Sequence, residues 1–117
     1  MLDDNEQKNI GVLIDADNTP PKKLRAILQE IAVHGHIITK RAYGDFSMDT
    51  LKNWKYELND NAIIPVQQFA YTKGKNATDL ALAIDAMEIL FSENVDVFAI
   101  VSSDSDFTPL EIGRAHV

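Results

Sequence analysis

The chain has 117 residues, 45% hydrophobic and 25% charged, with a formal net charge of -7, which suits one globular domain with a modest core. It has no cysteine, which excludes disulfides, thiolate zinc sites and a cysteine nucleophile and fits a reducing cytoplasm. The acidic balance has the wrong sign for holding nucleic acid by charge alone; with no basic-then-apolar leader and no apolar run near the roughly 18 residues of a membrane span, a cytoplasmic protein without a membrane partner is expected.

Residues 1–9 are polar and read as a flexible N-terminus. Ile10 to Ile14 is apolar at nearly every position, as a central parallel strand covered on both faces requires, and it runs into Asp15-Ala16-Asp17-Asn18-Thr19. Asn18 or Thr19 suits the cap of a helix begun by Pro20 and Pro21. Leu24, Ile27, Leu28 and Ile31 then share one helical face, and Gly35 supplies the stop. A second strand, from about His36 to Tyr43, ends at Gly44-Asp45. Ser47 opens another helix with Met48, Leu51, Trp54 and Leu58 inward, broken by Asn59-Asp60-Asn61. Ala62 to Phe69 reads as a third strand, at an edge because Pro65 cannot donate to a ladder.

A basic loop, Tyr71 to Asn76, precedes a long helix from about Ala77 to Ser92, whose apolar stripe takes in Leu80, Ala83, Ile84, Met87 and Leu90. Val95 to Val101 is the fourth strand and runs into Ser102-Ser103-Asp104-Ser105-Asp106. Thr108 and Pro109 suit the cap and first residue of a further helix. The alternation of strand and helix predicts a three-layer α/β/α fold with a mostly parallel sheet. Ile112 to Val117 has no amphipathic period and looks like the translation of a sequencing-adapter oligonucleotide, so it reads as a non-native tail.

Two buried strands that both end in acid predict one shared acidic pocket, since ligands of open α/β sheets bind beyond the carboxyl ends of the strands. Adjacent carboxylates repel unless protonated or bridged by a cation, which points to a divalent-metal site. Hard cations such as Mg²⁺ and Mn²⁺ favour oxygen donors. Asp15 and Asp17 flank Ala16 and share one side of an extended turn; Asn18 adds a neutral oxygen. Asp79 stands in the first turn of the long helix, where it also gains from the helix dipole. Asp85, six residues on and about 120° round the helix, lies among apolar residues and calls for a buried hydrogen-bond partner. Asp104 and Asp106 repeat the alternate spacing after the fourth strand. Lys40, Arg41, Lys73 and Lys75 are candidates to meet phosphates along the rim. Asp45 suits either a turn or the site, Trp54 reads as core, and His34 and His36 as structural.

Taken jointly, Ile14-Asp15-Ala16-Asp17-Asn18, Lys73-Gly74-Lys75-Asn76-Ala77-Thr78-Asp79 with Asp85, and Ser102-Ser103-Asp104-Ser105-Asp106-Phe107 resemble the NYN domain. This is the branch of the PIN-like nuclease superfamily that includes the bacterial LabA-like proteins. The resemblance covers residues 10–111 and implies a parallel sheet of order 3-2-1-4-5, a divalent-metal pocket holding Mg²⁺ or Mn²⁺, and RNA as substrate and partner. Asp15, Asp79 and Asp104 match its principal acids, with Asn18 and Asp106 as auxiliary ligands, Asp17, Asp85 and Ser102 as supporting residues, and Lys73 and Lys75 on the RNA. The family's last helix and strand are missing, so the expected order here is 3-2-1-4, the fifth strand lost by truncation and the fourth left as an edge. A homo-oligomer or a fused C-terminal domain is compatible with such a truncation.

Two other readings stand beside it. Asp15-Ala16-Asp17-Asn18-Thr19 also satisfies the D-x-D-x-T pattern of haloacid-dehalogenase-like phosphatases, with Asp15 as nucleophile and Asp17 as general acid/base, although the later G-D-x-x-x-D form is lacking. A non-catalytic RNA-binding domain would keep the fold without turnover, but such a domain has no use for so many clustered acids.

Overall fold

The computed structural model describes residues 7–68, 85–89, 92, 94–102 and 107–111. Its centre is β1 (Lys8–Asp15), which is buried from Ile10 onward. β1 pairs in parallel with β2 (Gly35–Gly44) on one side and β4 (Val97–Val101) on the other. β3 (Ile64–Gln67) extends the sheet in parallel beyond β2, and the order is β3-β2-β1-β4-β5. The parallel order 3-2-1-4 is thus the one expected, and β3, with Pro65, lies at the edge.

Alternation along β1 decides the two faces. Ile10, Val12 and Ile14 join Ala42, Ala99 and Val101 under α1 (Leu24–Ala32) and α2 (Trp54–Asp60). Leu24, Ile27, Leu28 and Ile31 supply the buried face of α1, as their spacing predicts. Trp54 is fully buried in the same layer. Leu13, Tyr43 and Phe98 point the other way and meet Ile89 of the helical segment 85–89. Helices therefore cover both faces, giving three layers. Among the described residues no helix is long and apolar enough to cross a membrane.

Several local expectations change. Instead of opening a helix, Thr108 and Pro109 lie in β5 (Phe107–Glu111), which pairs antiparallel with β4, Pro109 opposite Ala99. Only five residues separate Val101 from Phe107, a length that allows a hairpin return but no helical crossover. β4 is consequently an inner strand and no edge.

Gly35 is the first residue of β2, where a Cβ would stand 2.5 Å from the Lys8 carbonyl oxygen. The helix expected from Ser47 is a 3-10 turn (Asp49–Leu51) followed by α2, and Met48 is exposed rather than inward. In the helical segment 85–89 the buried residue is Ile89, while Met87 of the expected stripe is exposed. Asp85 and Ile89, four apart, turn the segment's other face to the sheet. The remaining stripe residues, Leu80, Ala83, Ile84 and Leu90, lie outside the described residues.

Candidate active site

Asp15 is the last residue of β1 and 5% exposed, so a carboxylate is held inside the carboxyl edge of the sheet. The chain then tightens into a 3-10 turn over Ala16–Asn18. Three residues make a full turn of such a helix, so positions three apart come level. Asn18 accordingly donates from Nδ2 to Asp15 Oδ2 at 2.8 Å.

The same turn separates Asp15 from Asp17, contrary to the expectation that they share one side. Asp15 pairs with Tyr43 in the ladder and lies on the Leu13 face. Asp17 is exposed on the opposite face, where a Cβ at Gly44 would meet its Oδ1 at 3.2 Å and Leu51 Cδ1 at 3.0 Å. An extended turn would have aligned the two acids; the 3-10 turn rotates them apart. Neither Asn18 nor Thr19 caps a helix here. Thr19 is buried, and its hydroxyl makes a long hydrogen bond of 3.5 Å to the Val101 carbonyl.

That bond, with the register Ile14↔Val101, sets the end of β4 against the end of β1. Ser102, exposed, is the next residue and stands beside the Asp15 edge. At the far end, Asp96 Oδ2 accepts from the Asn9 amide at 2.9 Å, and the Asp96 amide donates to the Asn9 carbonyl at 2.8 Å. The two strands are fastened at both ends.

Asp85 receives the partners its apolar surroundings call for. Its Oδ2 accepts from the Tyr43 hydroxyl at 2.9 Å and from Arg41 Nη1 at 3.2 Å. Burial, then the hydrogen bond to Asp85, pushes the Tyr43 hydroxyl well above its ordinary value of 10.0. Arg41, a candidate for phosphate contact, is instead committed to this ion pair. Arg41 and Tyr43 were not read as a pair in the sequence. The available signal was their alternate spacing on one strand, which puts both side chains on the face that Asp85 covers.

Asp45 forms a turn. It accepts from the Ser47 amide at 3.1 Å and from Gln67 Nε2 at 2.7 Å, with the Ser47 hydroxyl as a further donor. Lys73, Lys75, Asp79, Asp104 and Asp106 lie outside the described residues. Among the described residues no three His, Cys, Asp or Glu side chains gather as a metal site. What is described fits a hard cation in its chemistry: a buried carboxylate with a carboxamide against it. His34 and His36 stand at the opposite, amino-terminal end of the sheet.

A central parallel strand that ends in a buried acid, within a three-layer 3-2-1-4 sheet, fits a PIN-like α/β domain. The chain belongs to the NYN domain family, whose model matches residues 9–111; this is a family of PIN-like nucleases. It is 30% identical over 110 residues to an uncharacterized protein of Methanocaldococcus jannaschii, an alignment that covers 88% of this chain and 41% of that protein. The chain thus spans about two fifths of the curated relative it matches. No solved structure matches it.

Proposed function

We propose that this chain is a metal-dependent ribonuclease of the LabA-like branch that hydrolyses RNA phosphodiester bonds, cutting within the chain. The observation that carries the reading is Asp15, a carboxylate 5% exposed at the carboxyl end of the central strand, with Asn18 fastened to it at 2.8 Å. Asp15, Asp79 and Asp104 would hold Mg²⁺ or Mn²⁺, with Asn18 and Asp106 as auxiliary ligands. Such an ion, when bound, lowers the pKa of a water and offsets charge that develops on the phosphate.

The chain's own part is to fix the acids before substrate arrives, so that no reorganisation is needed during reaction. Asn18 orients the Asp15 carboxylate through Nδ2. Ser102 lines the same edge, and Asp85 supports the site through Tyr43, the ladder neighbour of Asp15. Asp17, facing the other layer, supports the turn. Lys73 and Lys75 are assigned to the RNA.

The opposed placement of Asp15 and Asp17 supports a nuclease over a haloacid-dehalogenase-like phosphatase, whose nucleophile and general acid must address one phosphate. The test is cleavage of labelled single-stranded and structured RNA with Mg²⁺, Mn²⁺ or chelator. Cleavage is expected with the metals alone, and Asp15→Asn is expected to abolish it while leaving the fold intact. Unchanged cleavage by Asp15→Asn overturns the assignment; trapping of a phosphoaspartate with a phosphomonoester restores the phosphatase.

A further inference from the structure

Two neighbouring columns of side chains rise on the face of the sheet that carries Asp15. Alternation puts Leu13 and Asp15 in the β1 column and Arg41 and Tyr43 in the β2 column. The register sets Arg41 beside Leu13 and Tyr43 beside Asp15. The helical segment 85–89 is joined to this face in two ways. Ile89 packs in the apolar cluster with Leu13, Tyr43 and Phe98. Asp85, one turn earlier, takes two donors on Oδ2, the Tyr43 hydroxyl at 2.9 Å and Arg41 Nη1 at 3.2 Å.

The two attachments do different things. Apolar packing is non-directional, whereas hydrogen bonds weaken steeply with misalignment, so two that converge on one oxygen resist a slide or a turn of the helix. Tyr43 is fully buried, which makes its hydroxyl a fixed point for Asp85. As a source of stability the trio is a poor choice. The Arg41 and Asp85 side chains are only 22% and 21% exposed, and the cost of withdrawing such a pair from water offsets much of its attraction. Apolar residues of similar volume would hold the segment at least as firmly. What they would not supply is one height and one phase of the helix on β2.

We propose that Arg41 and Tyr43 are positioning residues for the cation site: through Asp85 they set the helical segment at one height and phase on β2, and so hold that stretch of chain at one distance from Asp15. The proposal rests on the ribonuclease reading, under which Asp79, six residues before Asp85 in the chain, joins Asp15 at the cation. Partners that orient ligands from behind change metal affinity when they are lost, typically by about ten- to a hundredfold. A direct contact of Arg41 with a substrate phosphate would use the same charge, but Asp85 already engages it.

The test is Mn²⁺ binding to the full chain without RNA, read from the electron paramagnetic resonance of the free ion, beside thermal melts. Arg41→Met/Tyr43→Phe/Asp85→Leu removes one positive and one negative charge together, so the net charge around the site stays as it is. This triple variant is expected to melt at or above the native temperature and to bind Mn²⁺ about tenfold more weakly. Arg41→Lys, which keeps the charge and a donor, is expected to fall between the two in affinity. Arg25→Gln, exposed on α1, is expected to change neither reading. Undiminished Mn²⁺ affinity in the triple variant overturns the proposal, and the ribonuclease reading survives if the native chain binds Mn²⁺ and cleaves. Undiminished Mn²⁺ affinity with weaker RNA binding in EDTA makes Arg41 a substrate contact and overturns it as well. Loss of the cooperative melt together with Mn²⁺ binding also overturns it, since the trio then holds the fold rather than the site. A native chain that neither binds Mn²⁺ nor cleaves RNA overturns both.

Discussion

A single acid in an apolar run of helix carries an obligation that the sequence displays and cannot discharge by itself. Asp85 stands between Ile84 and Ala86, so some buried partner was legible. Which partner was not: Tyr43 and Arg41 lie 42 and 44 residues away on another element. Tyr43→Phe removes a hydrogen bond to a charged group and is expected to cost about 1.5–3 kcal/mol in urea unfolding. The pH dependence has a definite sign. The unfolded chain releases the tyrosine proton near its usual 10.0, while the native state keeps it to higher pH. The stability that this difference supplies is complete below about pH 10 and is lost as pH rises above it. Chemical unfolding on both sides of pH 10 is expected to show a shallower loss for Tyr43→Phe than for the native chain; equal slopes would remove Tyr43 as the cause. Asp15 was legible for a different reason, since an apolar strand that stops at an acid leaves that acid at the sheet edge. Its separation from Asp17 was not, because alternate spacing predicts a shared side only when the backbone is extended.

Among elements, those with a strong period were read well and those defined by distant pairing were not. The four parallel strands and the inward face of α1 follow from local pattern alone. β5 does not: nothing in Phe107–Glu111 announces a strand, and its place is set by the backbone donors and acceptors of β4. In the helical segment 85–89 the apolar stripe placed Met87 inward, whereas the face that meets the sheet carries Asp85, drawn there by its bonds to Tyr43 and Arg41, and Ile89. Glycines show the same dependence on distant neighbours. Gly35 looked like a helix stop, yet its lack of a side chain serves the β1–β2 junction, where the nearest atom is main-chain oxygen. Gly11 would meet the side chains of Phe98 and Thr39 at 3.1 and 3.2 Å. Side chains yield more easily than a paired strand. Gly35→Ala is therefore expected to destabilise by about 1–3 kcal/mol, and Gly11→Ala by less, as urea midpoints will show. The reverse ranking would mean that β2 shifts freely at its start.

On the scale of the molecule, β1 is laid between two parallel neighbours, with eight register pairs to β2 and five to β4. The Asn9–Asp96 bonds secure one end and the Thr19–Val101 contact the other. Exposed loops and chain ends open by fluctuations too small to disturb a core, but a central strand comes loose only when the sheet divides. The amides of Val12, Leu13 and Ile14 are thus expected to exchange with deuterium at the rate of whole-domain unfolding, more slowly than those of β3. Faster exchange in β1 would show that the sheet parts at its middle first. Asp15 inherits this property from its position. A carboxylate mounted on the last part of the domain to yield has no private route of escape, so warming short of the melting point leaves it where it is. Displacement of Asp15 by heat is then a property of the entire fold, and a variant that raises the melting temperature of the sheet raises by the same number of degrees the temperature at which Asp15 leaves its place.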